Sequence, residues 1–134
     1  MASELRVNTL KDASGNNSVG MAYVAGGSAK AWVHFDGSDA TLAADDSFNQ
    51  SSLTDNALGD YSLNYTTSMG NASYVANVFG YYSGHQVLLS DQNQAYATGS
   101  YRTGEIYAWN GVSSSNAGRM DPDNTTMLIH GDLA

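Results

Sequence analysis

Apolar and polar residues alternate with a period of two along most of this chain, and each alternating run is short. Glu4 to Leu10 sets Leu5, Val7 and Thr9 against Arg6 and Asn8, the pattern of a half-buried strand. The turn cluster Asp12-Ala13-Ser14-Gly15-Asn16-Asn17 follows, Val19 to Ala25 is a second candidate strand, and Gly26-Gly27 breaks the chain as a hinge. From Lys30 onward, strands are predicted over Ala31 to Asp36, Asp46 to Leu53, Asp60 to Thr66, Ser73 to Tyr82, Gln86 to Ser90, Gln94 to Tyr101, Glu105 to Trp109 and Thr125 to His130. Tyr61, Leu63 and Tyr65 face one way while Ser62, Asn64 and Thr66 face the other. The Ser73 to Tyr82 run carries bulk on both faces, which marks it as a more central strand.

Turn signals separate nearly all of these runs. Arg102-Thr103-Gly104 reads as a tight hairpin link, and Gly111 to Asn124 as the one long loop, functional or mobile. Ala40 to Ala44 is compatible with a turn of helix, but no helix-period stripe, heptad or solenoid repeat is evident. The expected fold is all-β: a single antiparallel β-sandwich, jelly-roll or lectin-like, over residues 29–134, preceded by an N-terminal strand arm over residues 1–28.

Composition agrees with that expectation. The chain has 134 residues, enough for one domain, with nine Tyr but only two Glu and two Lys, so good helix formers are scarce. A formal charge of −8 repels polyphosphate and anionic membrane surfaces, so nucleic acid is a poor partner. The absence of Cys excludes disulfides and Cys-ligated metal and suits assembly in a reducing cytoplasm. The opening Met1-Ala2-Ser3-Glu4-Leu5 lacks the features of a signal peptide, so secretion by that route is not expected. No stretch approaches the roughly 20 apolar residues of a membrane helix, so membrane insertion is not expected either.

Several blocks of the chain then fall into a recognisable order. They are Ala29-Lys30-Ala31-Trp32-Val33-His34-Phe35-Asp36-Gly37, Ser47-Phe48-Asn49, Thr54-Asp55-Asn56, Gly59-Asp60-Tyr61-Ser62-Leu63-Asn64-Tyr65-Thr66-Thr67 and Asn71-Ala72-Ser73-Tyr74, with the closing Met127-Leu128-Ile129-His130-Gly131-Asp132. In order and spacing they resemble a module of tail-fibre and appendage proteins of tailed phages, marine and cyanobacterial ones especially. The strand-turn opening of residues 1–28 also resembles the starts of short cyanophage fibre proteins. Two positions depart from the module: Gly70 stands where the family usually has Pro, and His130 where it usually has an apolar residue. The resemblance implies a non-enzymatic virion protein, made in the host cytoplasm, built of β-strands and homotrimeric.

Chemistry-bearing motifs are sparse. There is no Gly-x-Ser-x-Gly elbow, phosphate loop, dinucleotide fingerprint or His-Glu-x-x-His, and Gly80-Tyr81-Tyr82-Ser83-Gly84 reads as strand running into turn. His34 is expected as a partly exposed strand residue and His130 as a packed or inter-subunit one; three copies of His130 about a trimer axis could hold a transition metal. Asp36 to Asp39 and Asp121 to Asn124 offer oxygen ligands without the twelve-residue calcium pattern, and turn Asp residues are structural by default. Hence no cofactor and no metal are assigned. Trp32, inside a family block, is expected to be structural.

Recognition candidates come from the aromatic and polar residues of the second half: Tyr81, Tyr82, His85, Gln86, Gln92, Asn93, Tyr96 and Arg102. Leu5, Val7, Leu10, Val19 and Met21 are the candidates for attachment to the virion, because two short strands form no core alone. The expected partners are further copies of the chain, other phage tail or head proteins, and a host surface glycan. Two alternatives stand beside that reading: an adaptor joining tail or head to another fibre without binding a receptor, and a glycan-cleaving appendage enzyme.

Overall fold

The computed structural model describes residues 3–82, 85–89, 93–108 and 118–134, apart from the side chains of 85–89 and 108. Its elements are β1 (Thr9–Lys11), β2 (Ser18–Gly20), α1 (Met21–Gly27), β3 (Ala31–Phe35), β4 (Asp46–Phe48), β5 (Gln50–Ala57), β6 (Asp60–Tyr65), β7 (Val75–Tyr82), β8 (His85–Leu89), β9 (Ala95–Ala97), β10 (Ser100–Arg102), β11 (Ile106–Ala108), β12 (Gly118–Arg119) and β13 (Asn124–His130). The chain is all-β, and every strand pairing is antiparallel. Strands β5-β6-β10-β9 form one sheet and β12-β11-β8-β7-β13-β3-β4 another, while β1 and β2, among the described residues, pair only with each other.

Alternation decides which face of each strand turns inward. In β3 the odd positions Ala31, Val33 and Phe35 are buried, and in β13 Met127 and Ile129 lie on the same side of the seven-stranded sheet. Tyr61, Leu63 and Tyr65 of β6, as expected, form the buried face of the four-stranded sheet, joined by Tyr101 of β10. These residues, with Met69, Tyr74 and Ile106, make one core cluster. Phe35 meets Tyr61 edge to face, with ring centroids 5.1 Å apart, and so ties one sheet to the other. Burying each such ring contributes about 1.5–3 kcal/mol.

The chain changes sheets at two corners that sequence pattern did not reveal. The predicted strand from Asp46 to Leu53 is divided at Asn49, whose φ of 54° no β-strand tolerates. Its side chain donates to the carbonyls of Lys30 (2.9 Å) and Thr67 (3.0 Å) and accepts from the Thr67 N–H (2.7 Å), replacing ladder partners lost at the bend. β4 thereby joins the large sheet and β5 the small one. The predicted hairpin link at Arg102-Thr103-Gly104 is instead the second corner, since β10 pairs with β6 and β11 with β8. Gly104 supplies the φ of 74° there, and Thr103 holds β6 with its N–H and its Oγ1.

Five further expectations are corrected. Gln94 to Tyr101 is no single strand but the β9-β10 hairpin, turning at Thr98-Gly99. Ala40 to Ala44 forms no helix. The second arm strand stops at Gly20 and continues as α1, because β1 offers only three partners; Met21, Ala22 and Ala25 are good helix formers once no ladder competes. Gly26-Gly27, expected as a hinge, are the last residues of that helix. The Lys30 ammonium caps it by donating to the carbonyls of Ala25 and Ser28. The first arm strand likewise forms only from Thr9, not from Glu4.

Candidate functional site

β7 is central in strand order, as its bulk suggested, but among the described residues only one of its faces is covered. Ala76 and Val78 pack against the core, whereas Val75, Phe79 and Tyr81 remain 60%, 64% and 52% exposed. Register shows what surrounds them. Across the outer face of the seven-stranded sheet one row runs Phe48, Trp32, Leu128, Asn77, and the next runs Asp46, His34, Thr126, Phe79. His130 lies opposite Val75, and Asn124 opposite Tyr81. Phe48 is itself 52% exposed. The result is a surface rich in aromatic residues, with Asp46 at its β4 edge and His34 Nδ1 3.1 Å from the Asp45 carboxylate.

A patch of this size is about as large as the largest on a typical monomer, and such patches are often functional. Three aromatic rings, each about half exposed, leave about 300 Å² of apolar surface in water, and Val75 with the edges of Trp32 and Leu128 brings it near 400 Å². A standard interface buries about 800 Å² per partner, somewhat more than half of it apolar. The outer face alone thus offers most of the apolar area that one side of an interface requires.

The predicted recognition residues are not gathered into one site. Tyr81 belongs to the outer face, and Tyr82 points to the other side of β7, half-buried. His85 and Gln86 pair with Tyr82 and Tyr81 through the β7-β8 ladder. Gln92 lies outside the described residues. Asn93, with a φ of 64°, donates to the Glu105 carboxylate at 3.3 Å. Tyr96 sits in a tyrosine stack, its ring centroid 5.2 Å from that of Tyr74 and 5.1 Å from that of Tyr101. Arg102 grips Asp60 with two hydrogen bonds of 2.9 and 2.6 Å.

Several of these groups hold the structure together. Asp60 and Glu105 are almost wholly buried; Asp60 accepts from Arg102, and Glu105 accepts from Arg119 and from the Tyr107 hydroxyl at 2.7 Å. The hydrogen bonds to Asp60 hold the Arg102 guanidinium even more firmly protonated than usual. Asp121 accepts from the Gly59 N–H (2.7 Å) and the Tyr61 hydroxyl (2.6 Å), and Asp36 from the N–H and hydroxyl of Ser38. Burial raises the pKa of Tyr61 and Tyr65 well above the usual range and pushes that of Tyr101 up to about 12. Among the described residues, no group of His, Asp and Glu is arranged to hold a metal ion, and no helix is long and apolar enough to cross a membrane.

The arm candidates are exposed. Leu5, Val7, Leu10 and Val19 are 79%, 37%, 42% and 38% accessible; Met21 is partly covered, and no residue of α1 is buried. Leu10 and Val19 are register partners on the hairpin and line a shallow groove with Lys11, Asp12, Asn17 and Ser18. Sequence reasoning did not single out Phe48, Val75 or Phe79. The signal was present in the bulk on both faces of β7, which marked the strand's position but did not reveal that none of the described residues covers its outer side. No protein-family model, curated protein or solved structure matches the chain.

Proposed function

We propose that this chain is a virion protein of a tailed phage, a homotrimeric tail-fibre or appendage module in which a β-sandwich carries an N-terminal attachment arm. The observation that carries the proposal is the open apolar surface: both the arm and the outer face of the large sheet hold apolar side chains that the described residues do not cover. Chains built this way are completed by assembly.

The blocks that resemble fibre modules also coincide with the elements that build the core. Ala29 to Gly37 contains β3, Gly59 to Thr67 contains β6 with its preceding turn, and Met127 to Asp132 contains the end of β13. Four of the thirteen carboxylates are engaged in holding the fold, Asp60 and Glu105 by arginines and Asp36 and Asp121 by N–H and hydroxyl groups, which weighs against a catalytic role for these four. Tyr81, on the open face, is the exposed recognition candidate there, available to a host glycan if the appendage is a receptor-binding one.

Purified virions from a producing lysate, banded on a density gradient, test the assignment. The chain should co-band with the particles and decorate the tail or its appendages in immunogold images. Absence from banded particles, with all of the chain left in the soluble fraction, would overturn it.

A further inference from the structure

Thirteen large hydrophobic side chains are exposed among the described residues, and ten of them fall on two surfaces. Leu5, Val7, Leu10, Val19, Tyr23 and Val24 lie on the arm, and Phe48, Val75, Phe79 and Tyr81 on the outer face of the seven-stranded sheet. None of the described residues covers either surface, so the arm is not seated on its own sheet. Charge decides between the ways two copies could cover them. Residues 3–28 hold two of the five cations and two of the thirteen carboxylates, so the arm is neutral; residues 29–134, with three against eleven, carry the whole −8.

Two outer faces brought together would bring Asp45 and Asp46 of one copy towards those of the other, between modules that each carry −8 in total. A neutral arm bearing Arg6 and Lys11 meets the same face without that repulsion. Such a contact is also heterologous, joining one patch to a different patch, which is the kind of contact that closes a ring of three. We propose that the arm of one copy seats on the outer face of the seven-stranded sheet of the next, with Tyr23 and Leu5 against Phe79, Val75 and Phe48. This names the partner surface within the homotrimer reading and rests on it.

The chain lacks Cys, so single cysteines report contacts cleanly. Full-length Tyr23→Cys and Phe79→Cys chains, mixed, allowed to exchange subunits and mildly oxidised, should give a covalent pair of one of each at least fivefold above either self-pair. Sedimentation of the unmodified chain should show an assembly of about 42 kDa, three times 14.1 kDa. Self-pairing of Phe79→Cys that equals or exceeds the mixed pair would mean that the faces meet each other, and would overturn the proposal. So would an intrachain bond in the Tyr23→Cys/Phe79→Cys double variant that persists on dilution to monomer. A trimer in which neither surface cross-links selectively would refute the seating of the arm while leaving the homotrimer reading standing. A monomer at every concentration would refute both.

Discussion

Gly59→Ala tests how tightly the two sheets are tied at one end of the core. Gly59 turns the chain between β5 and β6 with a φ of 69°, a left-handed conformation that costs an alanine about 1 kcal/mol. A Cβ at this position would stand 2.5 Å from the Met120 carbonyl oxygen and 2.9 Å from that of Ile106, both of them backbone. Backbone yields less readily than a side chain, so overpacking adds about 1–3 kcal/mol. Any shift that relieves the clash also loosens the hydrogen bonds from Gly59 N–H to Asp121 (2.7 Å) and from Ile106 N–H to the Gly59 carbonyl (2.8 Å), each worth about 1 kcal/mol. The expected total is about 3–5 kcal/mol. For a chain of this length that lowers Tm by about 10–15 °C.

Gly15→Ala is the control. Its φ is 72°, yet nothing lies within 4 Å of the added Cβ, and the residue belongs to the arm hairpin. It keeps the conformational cost and loses the packing cost. Differential scanning calorimetry at one fixed protein concentration should show the large shift for Gly59→Ala and a change below about 3 °C for Gly15→Ala. Equal, small shifts in both variants would refute the close approach at Gly59 and, with it, the reading of residues 120–121 as the clamp on this turn.

Tyr61→Phe removes a hydroxyl that donates to Asp121, and thermal unfolding should show a loss of about 1–2 kcal/mol; no change would mean that the bond is replaced by water at no cost. At high pH, burial holds Tyr61, Tyr65, Tyr74 and Tyr101 protonated, so their folded-state pKa values lie above the unfolded value near 10. Their contribution to stability is complete below pH about 10 and is lost as pH rises through about 12 and beyond. Absorbance at the tyrosinate band should therefore rise for these four only together with unfolding; smooth ionisation of all nine tyrosines in folded protein would count against the buried stack. Removal of residues 2–28 should leave a cooperative thermal transition for residues 29–134, since no arm side chain is buried in the core; loss of that transition would make the arm part of the fold.

What the sequence determined by itself was local. Period-two alternation in β3, β6 and β13 has a direct physical cause, because successive side chains point to opposite faces and only one face of each strand is buried. It therefore marked the strands, the all-β class and the inward identity of Tyr61, Leu63 and Tyr65. What alternation cannot encode is which sheet a strand joins. That depended on single backbone conformations, the left-handed Asn49 and Gly104, which send the chain from one layer to the other through partners 18 residues or more away, such as Thr67 for Asn49 and Tyr61 for Thr103. The same limit applies to the functional residues. Arg102, Asn93 and Tyr96 carry groups suited to recognition, but the fold commits them to Asp60, Glu105 and the tyrosine stack, while it leaves Phe79 and Val75 facing water. Whether an apolar strand residue is core or surface depends on whether a second layer covers its face, and only the tertiary arrangement supplies or withholds that layer.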